Sequence, residues 1–172
     1  ALFRLLRDVA RKIEGIGAEC ILLCANMMHQ HADAVQGELS VPIVHIADTA
    51  GAAIARRGMK TVGLLGTKPT MELDFYRKRL KGLGIEAIVP EADDRLFIHD
   101  TIMGELLKGI FKPASKERFL RIMRELRTRG AEGIVLGCTE IPLLVKQDDI
   151  DLPLFDTLDI HARAAVDFAL RE

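Results

Sequence analysis

The sequence predicts an α/β fold built on parallel strands, and three observations carry that expectation. Short apolar runs alternate along the chain with longer segments of helical period, the pattern of repeated strand-helix units. The short runs are continuously apolar rather than alternating, as strands covered on both faces should be. Two distant stretches also align with each other, so the chain is expected to hold two similar lobes.

In chain order, the opening Ala1-Leu2-Phe3-Arg4-Leu5-Leu6-Arg7-Asp8 has neither an initiating Met nor the apolar core of a signal peptide. It reads as an amphipathic helix over 2–15 already under way, so the numbering is expected to begin inside a larger protein. Gly15 and Gly17 end that helix, and a strand follows over 20–24. A helix over 27–39 leads to a strand over 43–46, which Pro42 introduces. A helix over 48–57 is closed by Gly58, and the run Thr61-Val62-Gly63-Leu64-Leu65 is a strand. Pro69 belongs in the first turn of a helix over 69–81, which Gly82 and Gly84 end. A strand over 85–89 and helices over 96–109 and 115–129 come next, the last stopped by Gly130. Strands over 133–137 and 152–155 and a helix over 157–170 complete the chain.

The internal match sets Gly17-Ala18-Glu19-Cys20-Ile21-Leu22-Leu23-Cys24-Ala25-Asn26 over Gly130-Ala131-Glu132-Gly133-Ile134-Val135-Leu136-Gly137-Cys138-Thr139 without a gap, at an offset of 113. Val41-Pro42-Ile43-Val44-His45-Ile46-Ala47-Asp48 lies over Leu152-Pro153-Leu154-Phe155-Asp156-Thr157-Leu158-Asp159 at an offset of 111. In such a repeat the second unit is whole and the first lacks a beginning. The lobes are then residues 1–47 with 156–172, and residues 48–155.

Composition bounds the function. At 172 residues, 49% hydrophobic and 28% charged, the chain can bury a core without disulfide or metal staples. Disorder and a metal-dependent miniature fold are excluded. A net charge of −1, from 24 basic and 25 acidic residues, lacks the basic field that nucleic acid or an anionic lipid surface requires. No apolar run approaches the roughly 20 residues that span a bilayer. The 3 cysteines, an odd number at low density, point to free thiols and a reducing compartment, by default the cytoplasm. The expected partner is a small molecule, not nucleic acid or a membrane.

Ligands of parallel α/β folds bind beyond the carboxyl ends of the strands. Three strand ends here carry polar chemistry: Cys24-Ala25-Asn26-Met27-Met28-His29, Gly66-Thr67-Lys68-Pro69-Thr70 and Gly137-Cys138-Thr139-Glu140. At a strand-to-helix junction, backbone amides and the helix dipole should favour the Cys138 thiolate and make it a base. Glu140 would complement the same dipole. Hydroxyls and amides of the Thr67 segment could hold a carboxylate or phosphate, although its glycine spacing matches no nucleotide fingerprint. Thr67 also reads as an N-cap. Cys24, His29 and His31 match no zinc spacing, so no metal site is expected. Cys20 reads as core, His45, His99 and His161 as isolated surface or hydrogen-bonded histidines, and Lys108 as a solvated cation near a helix end.

These segments, with His45-Ile46-Ala47-Asp48, Leu64-Leu65-Gly66-Thr67-Lys68-Pro69-Thr70-Met71-Glu72, Leu136-Gly137-Cys138-Thr139-Glu140-Ile141-Pro142-Leu143-Leu144 and Phe155-Asp156-Thr157, resemble the aspartate/glutamate racemase family, particularly its broad-specificity amino-acid racemase branch. The resemblance covers nearly the whole chain. It implies two Rossmann-like lobes related by pseudo-twofold symmetry, a cleft between them, a homodimer, and catalysis without pyridoxal phosphate or metal. It further implies two thiols on opposite faces of a substrate α-carbon, one removing the proton and the other returning one. By position Cys138 would be one base, and Asn26, Thr67, Thr70 and Thr139 would hold substrate carboxylates. Lys108 would bind an acidic substrate group, with His29 and Glu140 as supporting partners.

The sequence departs from the family pattern in two places. Ala25 stands where the family has its first catalytic Cys or Thr, and the internal alignment also sets Ala25, not Cys24, opposite Cys138. Alternation along a strand turns Cys24 away from whatever position 25 faces. The Gly-rich strand-to-helix segment with which the family normally opens is also absent from this chain. The expected function is therefore cofactor-independent amino-acid racemisation, with activity impaired by Ala25. The alternatives are a one-cysteine decarboxylase or isomerase of a carboxylic acid, and a non-catalytic carboxylate-binding protein.

Overall fold

The protein is described by a computed structural model over residues 1–170. Two parallel sheets organise it. The smaller pairs β1 (Ile21–Leu22) with β2 (Ile43–Val44), and the larger has β3 (Thr61–Gly66), β4 (Glu86–Ile88), β5 (Ile134–Gly137) and β6 (Leu154–Asp156) in the order β4-β3-β5-β6. The helices are α1 (Leu2–Gly15), α2 (Ala32–Gln36), α3 (Ile46–Arg56), α4 (Lys68–Glu72), α5 (Asp74–Gly82), α6 (Ala92–Gly104), α7 (Pro113–Thr128), α8 (Ile141–Leu144) and α9 (Thr157–Ala169). Short 3₁₀ turns cover Asn26–His31, Leu106–Lys108 and Gln147–Asp149.

Side-chain alternation splits the larger sheet into two apolar faces. Val62, Leu64, Val135 and Phe155 pack with Ile46, Ile54, Tyr76 and Leu80 of α3 and α5. Leu65, Ile134 and Leu136 pack on the other face with Ile98, Ile102, Phe119, Ile122 and Leu126 of α6 and α7. A third cluster, Ala10, Ile21, Leu23, Ala32 and Val35, joins α1 and α2 to the small sheet. The Glu14 carboxylate at the end of α1 accepts from the Ser40 and Val41 amides at 2.7 and 3.0 Å, fixing the approach to β2.

The internal repeat is visible in strand register. In the small sheet Ile21 pairs with Ile43 and Leu22 with Val44. In the large one the residues equivalent by the alignment pair likewise, Ile134 with Leu154 and Val135 with Phe155. The helices that follow begin alike. His45 Nδ1 accepts from the Ala47 amide at 3.2 Å to cap α3, and the equivalent Asp156 caps α9 by accepting from Leu158 and Asp159.

Several elements differ from expectation. The strand over 20–24 shrinks to Ile21–Leu22 and the one over 43–46 to Ile43–Val44, because His45 turns the chain into α3 before residue 48. The helix expected over 27–39 is a 3₁₀ turn followed by α2. It ends early because the Gln36 side chain bonds the Val41 carbonyl and the Ile43 amide instead. Leu73, with extended backbone at φ −78 and ψ 153, divides the helix over 69–81 into α4 and α5. The helix over 96–109 runs instead from Ala92 to Gly104. It stops at Glu105, whose carboxylate accepts from Ser115 Oγ at 2.7 Å and Lys112 Nζ at 2.9 Å. Lys108 therefore sits in a separate turn rather than at a helix end.

Candidate functional site

The site is built at the carboxyl ends of β3, β5 and β6, with the turn after β1 joined to them. Gly66 pairs with Gly137 in the β3–β5 ladder. A Cβ on Gly137 would lie 2.7 Å from the Leu65 carbonyl oxygen, and one on Gly66 would lie 2.8 Å from the Gly137 carbonyl oxygen. Only glycine allows this approach, which sets the next residues, Thr67 and Cys138, side by side at adjacent strand ends.

Thr67 occupies the cap position of α4 with extended backbone, but its hydroxyl makes no cap bond. It lies instead 3.2 Å from the hydroxyl of Thr70, which is wholly buried. The capping expected of the Thr67 side chain is thus replaced by a pair of hydroxyls at the strand end.

The Cys138 thiol donates to Glu140 Oε2 at 2.8 Å, and the Thr139 hydroxyl donates to the same oxygen at 2.8 Å. Burial, with the Glu140 carboxylate adding to it, pushes the Cys138 thiol up to about 12. This reverses the thiolate expected at a helix start. The following helix has only 4 residues, too short for a substantial dipole, and the nearest charge is negative. The resting group is a thiol, an acid whose conjugate base is strong.

The turn after β1 reaches this row through one side chain. Buried Asn26 donates from Nδ2 to Thr157 Oγ1 at 2.9 Å, and the Thr157 hydroxyl donates to the Leu136 carbonyl of β5 at 2.8 Å. The structure thereby brings Asn26, Thr67, Thr70, Cys138, Thr139 and Glu140 to one end of the sheets. Ala25 is half-buried in extended backbone, its neighbour Cys24 is exposed and Cys20 is only half-buried. Ala25 also borders an apolar groove of about 430 Å³ between α1 and β1, lined by Leu5, Leu6, Val9 and Ile13. Exposed Lys108 lies on the turn that packs against α8.

Behind Ala25 lies a cluster that sequence reading treated as separate residues. His29, His45 and His161 are all buried, with ring centroids 4.6 Å apart for His29 and His45 and 5.6 Å for His29 and His161. His29 Nδ1 donates to the Ala25 carbonyl at 3.1 Å, and His161 Nε2 donates to the Val44 carbonyl at 2.7 Å. Desolvation first, then the neighbouring positive charge each ring would meet, lowers His29 to about 3 and His45 to about 4. Burial also lowers His161. Among the described residues no set of three His, Cys, Asp or Glu is arranged to hold a metal ion, and no helix is long and apolar enough to cross a membrane.

Thr157 was the residue that sequence reasoning passed over. Its signal was present, since it follows a strand that the repeat places beside β5, where strand-end residues converge.

The family model for Asp/Glu/Hydantoin racemase matches residues 2–165. Among curated relatives, the broad specificity amino-acid racemase RacX of Bacillus subtilis is 27% identical over 162 residues, covering 92% of this chain and 68% of the relative. The chain spans about half the length of the curated glutamate racemases it matches, such as that of Leptospira borgpetersenii at 30% identity and 52% coverage. A solved aspartate racemase homologue from Pyrococcus horikoshii superposes with a TM-score of 0.90 at 39% identity, covering 98% of this chain and 74% of that one. The chain belongs to the Asp/Glu/Hydantoin racemase family.

Proposed function

We propose that the protein acts as a cofactor-independent isomerase on acidic or polar amino acids, with Cys138 exchanging the substrate's α-proton. The observation that carries this reading is the Cys138 thiol, bonded to Glu140 at 2.8 Å, in a row of strand-end hydroxyls at Thr67, Thr70 and Thr139. The hydroxyls suit a carboxylate, and Lys108 on the neighbouring turn suits the second acidic group of a dicarboxylate. RacX, named as a broad specificity amino-acid racemase, supports amino acids as the substrates.

A thiol raised by burial to about 12 is a weak acid in the resting state. Its thiolate, once formed, is basic enough to take a proton from carbon, and the thiol can return one. Asn26 and Thr139 would hold the substrate against Cys138, with His29 steadying the Ala25 backbone. The site lies between a first lobe of residues 1–47 with 156–172 and a second of 48–155. The family resemblance supports a homodimer working without pyridoxal phosphate or metal, and the sparse free cysteines support a reducing compartment, by default the cytoplasm.

Ala25 favours a second reading within the same site. Its methyl group carries no exchangeable proton, so Cys138 alone serves one face of the α-carbon. Such a site exchanges the α-hydrogen with solvent, or protonates a carbanion left by decarboxylation, with retention on that face. Solvent deuterium entering aspartate or glutamate, analysed separately for each enantiomer, tests the proposal. Exchange confined to one enantiomer marks the one-face site, and loss of optical activity marks full racemisation.

A further inference from the structure

His99, on α6 and outside the buried histidine cluster, reaches the start of α4. The Lys68 amide donates to His99 Nδ1 at 3.3 Å, so the ring hydrogen sits on Nε2. One turn earlier on α6, Arg95 donates from Nε to Glu72 Oε1 at 3.1 Å and from Nη1 to the Pro90 carbonyl at 2.7 Å. Lys68 and Glu72 are the first and last residues of α4, so α6 holds that short helix at both ends.

The Lys68 amide needs an acceptor from outside α4. The first amides of a helix have no partner within it, and a capping side chain reaches only the second or third of them. In α4 the second residue is Pro69, which has no N–H, and the third is Thr70. Thr67 as the cap residue therefore cannot serve Lys68, and it does not serve the Thr70 amide either. It makes no side-chain cap bond, and its hydroxyl lies 3.2 Å from that of Thr70. Two arrangements of Thr67 thus compete, the ordinary cap on the Thr70 amide and this pair of hydroxyls. Holding the Lys68 amide on His99 fixes the Thr67–Lys68 peptide plane, and with it the extended Thr67 backbone at φ −66 and ψ 160 from which the pair forms.

We propose that His99 is a positioning residue: by taking the Lys68 amide it keeps the Thr67 hydroxyl paired with Thr70 instead of capping α4, in the arrangement that receives a substrate carboxylate. The carboxylate rests on the racemase reading above; the control of Thr67 by His99 does not. His99 acts through the Lys68 backbone, so its loss should alter substrate binding more than proton exchange at Cys138.

The test compares the wild type with His99→Leu, which has no acceptor, and His99→Asn, whose Oδ1 can stand where Nδ1 does. In α-hydrogen exchange of aspartate or glutamate, the leucine variant should raise KM about tenfold while kcat stays within about threefold, and asparagine should keep KM within about threefold of the wild type. A fall in kcat without a rise in KM, no change in either, or an asparagine variant as impaired as leucine overturns the proposal. Backbone amide exchange followed by NMR reads the two arrangements of Thr67 without any ligand. In His99→Leu the Lys68 amide should exchange faster and the Thr70 amide, newly capped by Thr67, more slowly, while His99→Asn should keep both wild-type rates. Faster exchange at both amides marks simple loosening and overturns the proposal. A Lys68 amide unprotected already in the wild type overturns it too, whether or not the leucine variant folds. A wild type that exchanges no α-hydrogen contradicts the racemase reading and the carboxylate's place together, while opposite changes at the two amides would still uphold the control of Thr67.

Discussion

The thiol of Cys138 donates to Glu140 at 2.8 Å, and the same carboxylate oxygen receives the Thr139 hydroxyl. Glu140 is thus both the proton acceptor nearest the thiol and one reason the thiol holds its proton. The other and larger reason is burial. Glu140→Gln removes the negative charge but not the burial, so the Cys138 pKa should fall from about 12 while staying above its ordinary value. Iodoacetamide labelling followed by peptide mass mapping separates Cys138 from Cys20 and Cys24. Labelling of Cys138 at mildly alkaline pH should speed up in Glu140→Gln, and an unchanged or slower rate would mean that Glu140 does not control the thiol.

The approach of β3 to β5 predicts an asymmetry between glycines. At Gly137 a new methyl would meet the Leu65 carbonyl at 2.7 Å, and backbone cannot swing aside as a side-chain tip can. Gly137→Ala should cost about 2 kcal/mol or more and loosen the ends that carry Thr67 and Cys138. At Gly104, the last residue of α6, nothing lies within 4 Å of an added methyl. Gly104→Ala should leave stability unchanged or raise it by about 0.5–1 kcal/mol. Urea midpoints of the two variants check both signs.

The buried histidines predict acid sensitivity. His29 and His45 have folded pKa values near 3 and 4, below the 6.5 of an unfolded histidine, so the unfolded chain binds more protons as pH falls. Their contribution is therefore fully present above pH 6.5 and is lost on acidification toward 4 and 3. Between pH 6.5 and 5 each should withdraw roughly 2 kcal/mol. His45→Asn keeps an acceptor to cap α3 and removes one titration, so it should flatten that fall. Unfolding free energies measured at the two pH values in wild type and variant test this, and parallel slopes would contradict it.

Sequence reading captured what depends on local pattern. The runs that became β3 and β5 were nearly right at both ends because both are buried on two faces, and their apolar continuity shows it. The repeat also carried over into strand register. What escaped depends on partners far along the chain. Asn26 meets Thr157 across 131 residues and His161 meets Val44 across 117, so neither the Asn26–Thr157 bond nor the histidine cluster leaves a local signature. The Cys138 environment was misjudged for a related reason: a strand end beside a helix suggests positive potential, and only the folded side chains show Glu140 turned back onto the sulfur.

Ala25 supplies a gain-of-function prediction. It occupies the position equivalent to Cys138 in the repeat, on a backbone held by His29 at 3.1 Å. Ala25→Cys would add a second proton-exchanging group to the substrate's other face. Polarimetry should show loss of optical activity from aspartate or glutamate faster in the variant than in the wild type, by about tenfold or more. No gain would mean that position 25 does not face the reacting carbon.

The most direct measurement of the central claim is α-hydrogen exchange, followed by proton NMR of D- and L-aspartate and D- and L-glutamate incubated with the protein in deuterium oxide. Deuterium should appear at the α-carbon of at least one enantiomer with the wild type and at none with Cys138→Ser. Absence of exchange with every one of the four amino acids, or exchange that persists undiminished in Cys138→Ser, would contradict that claim.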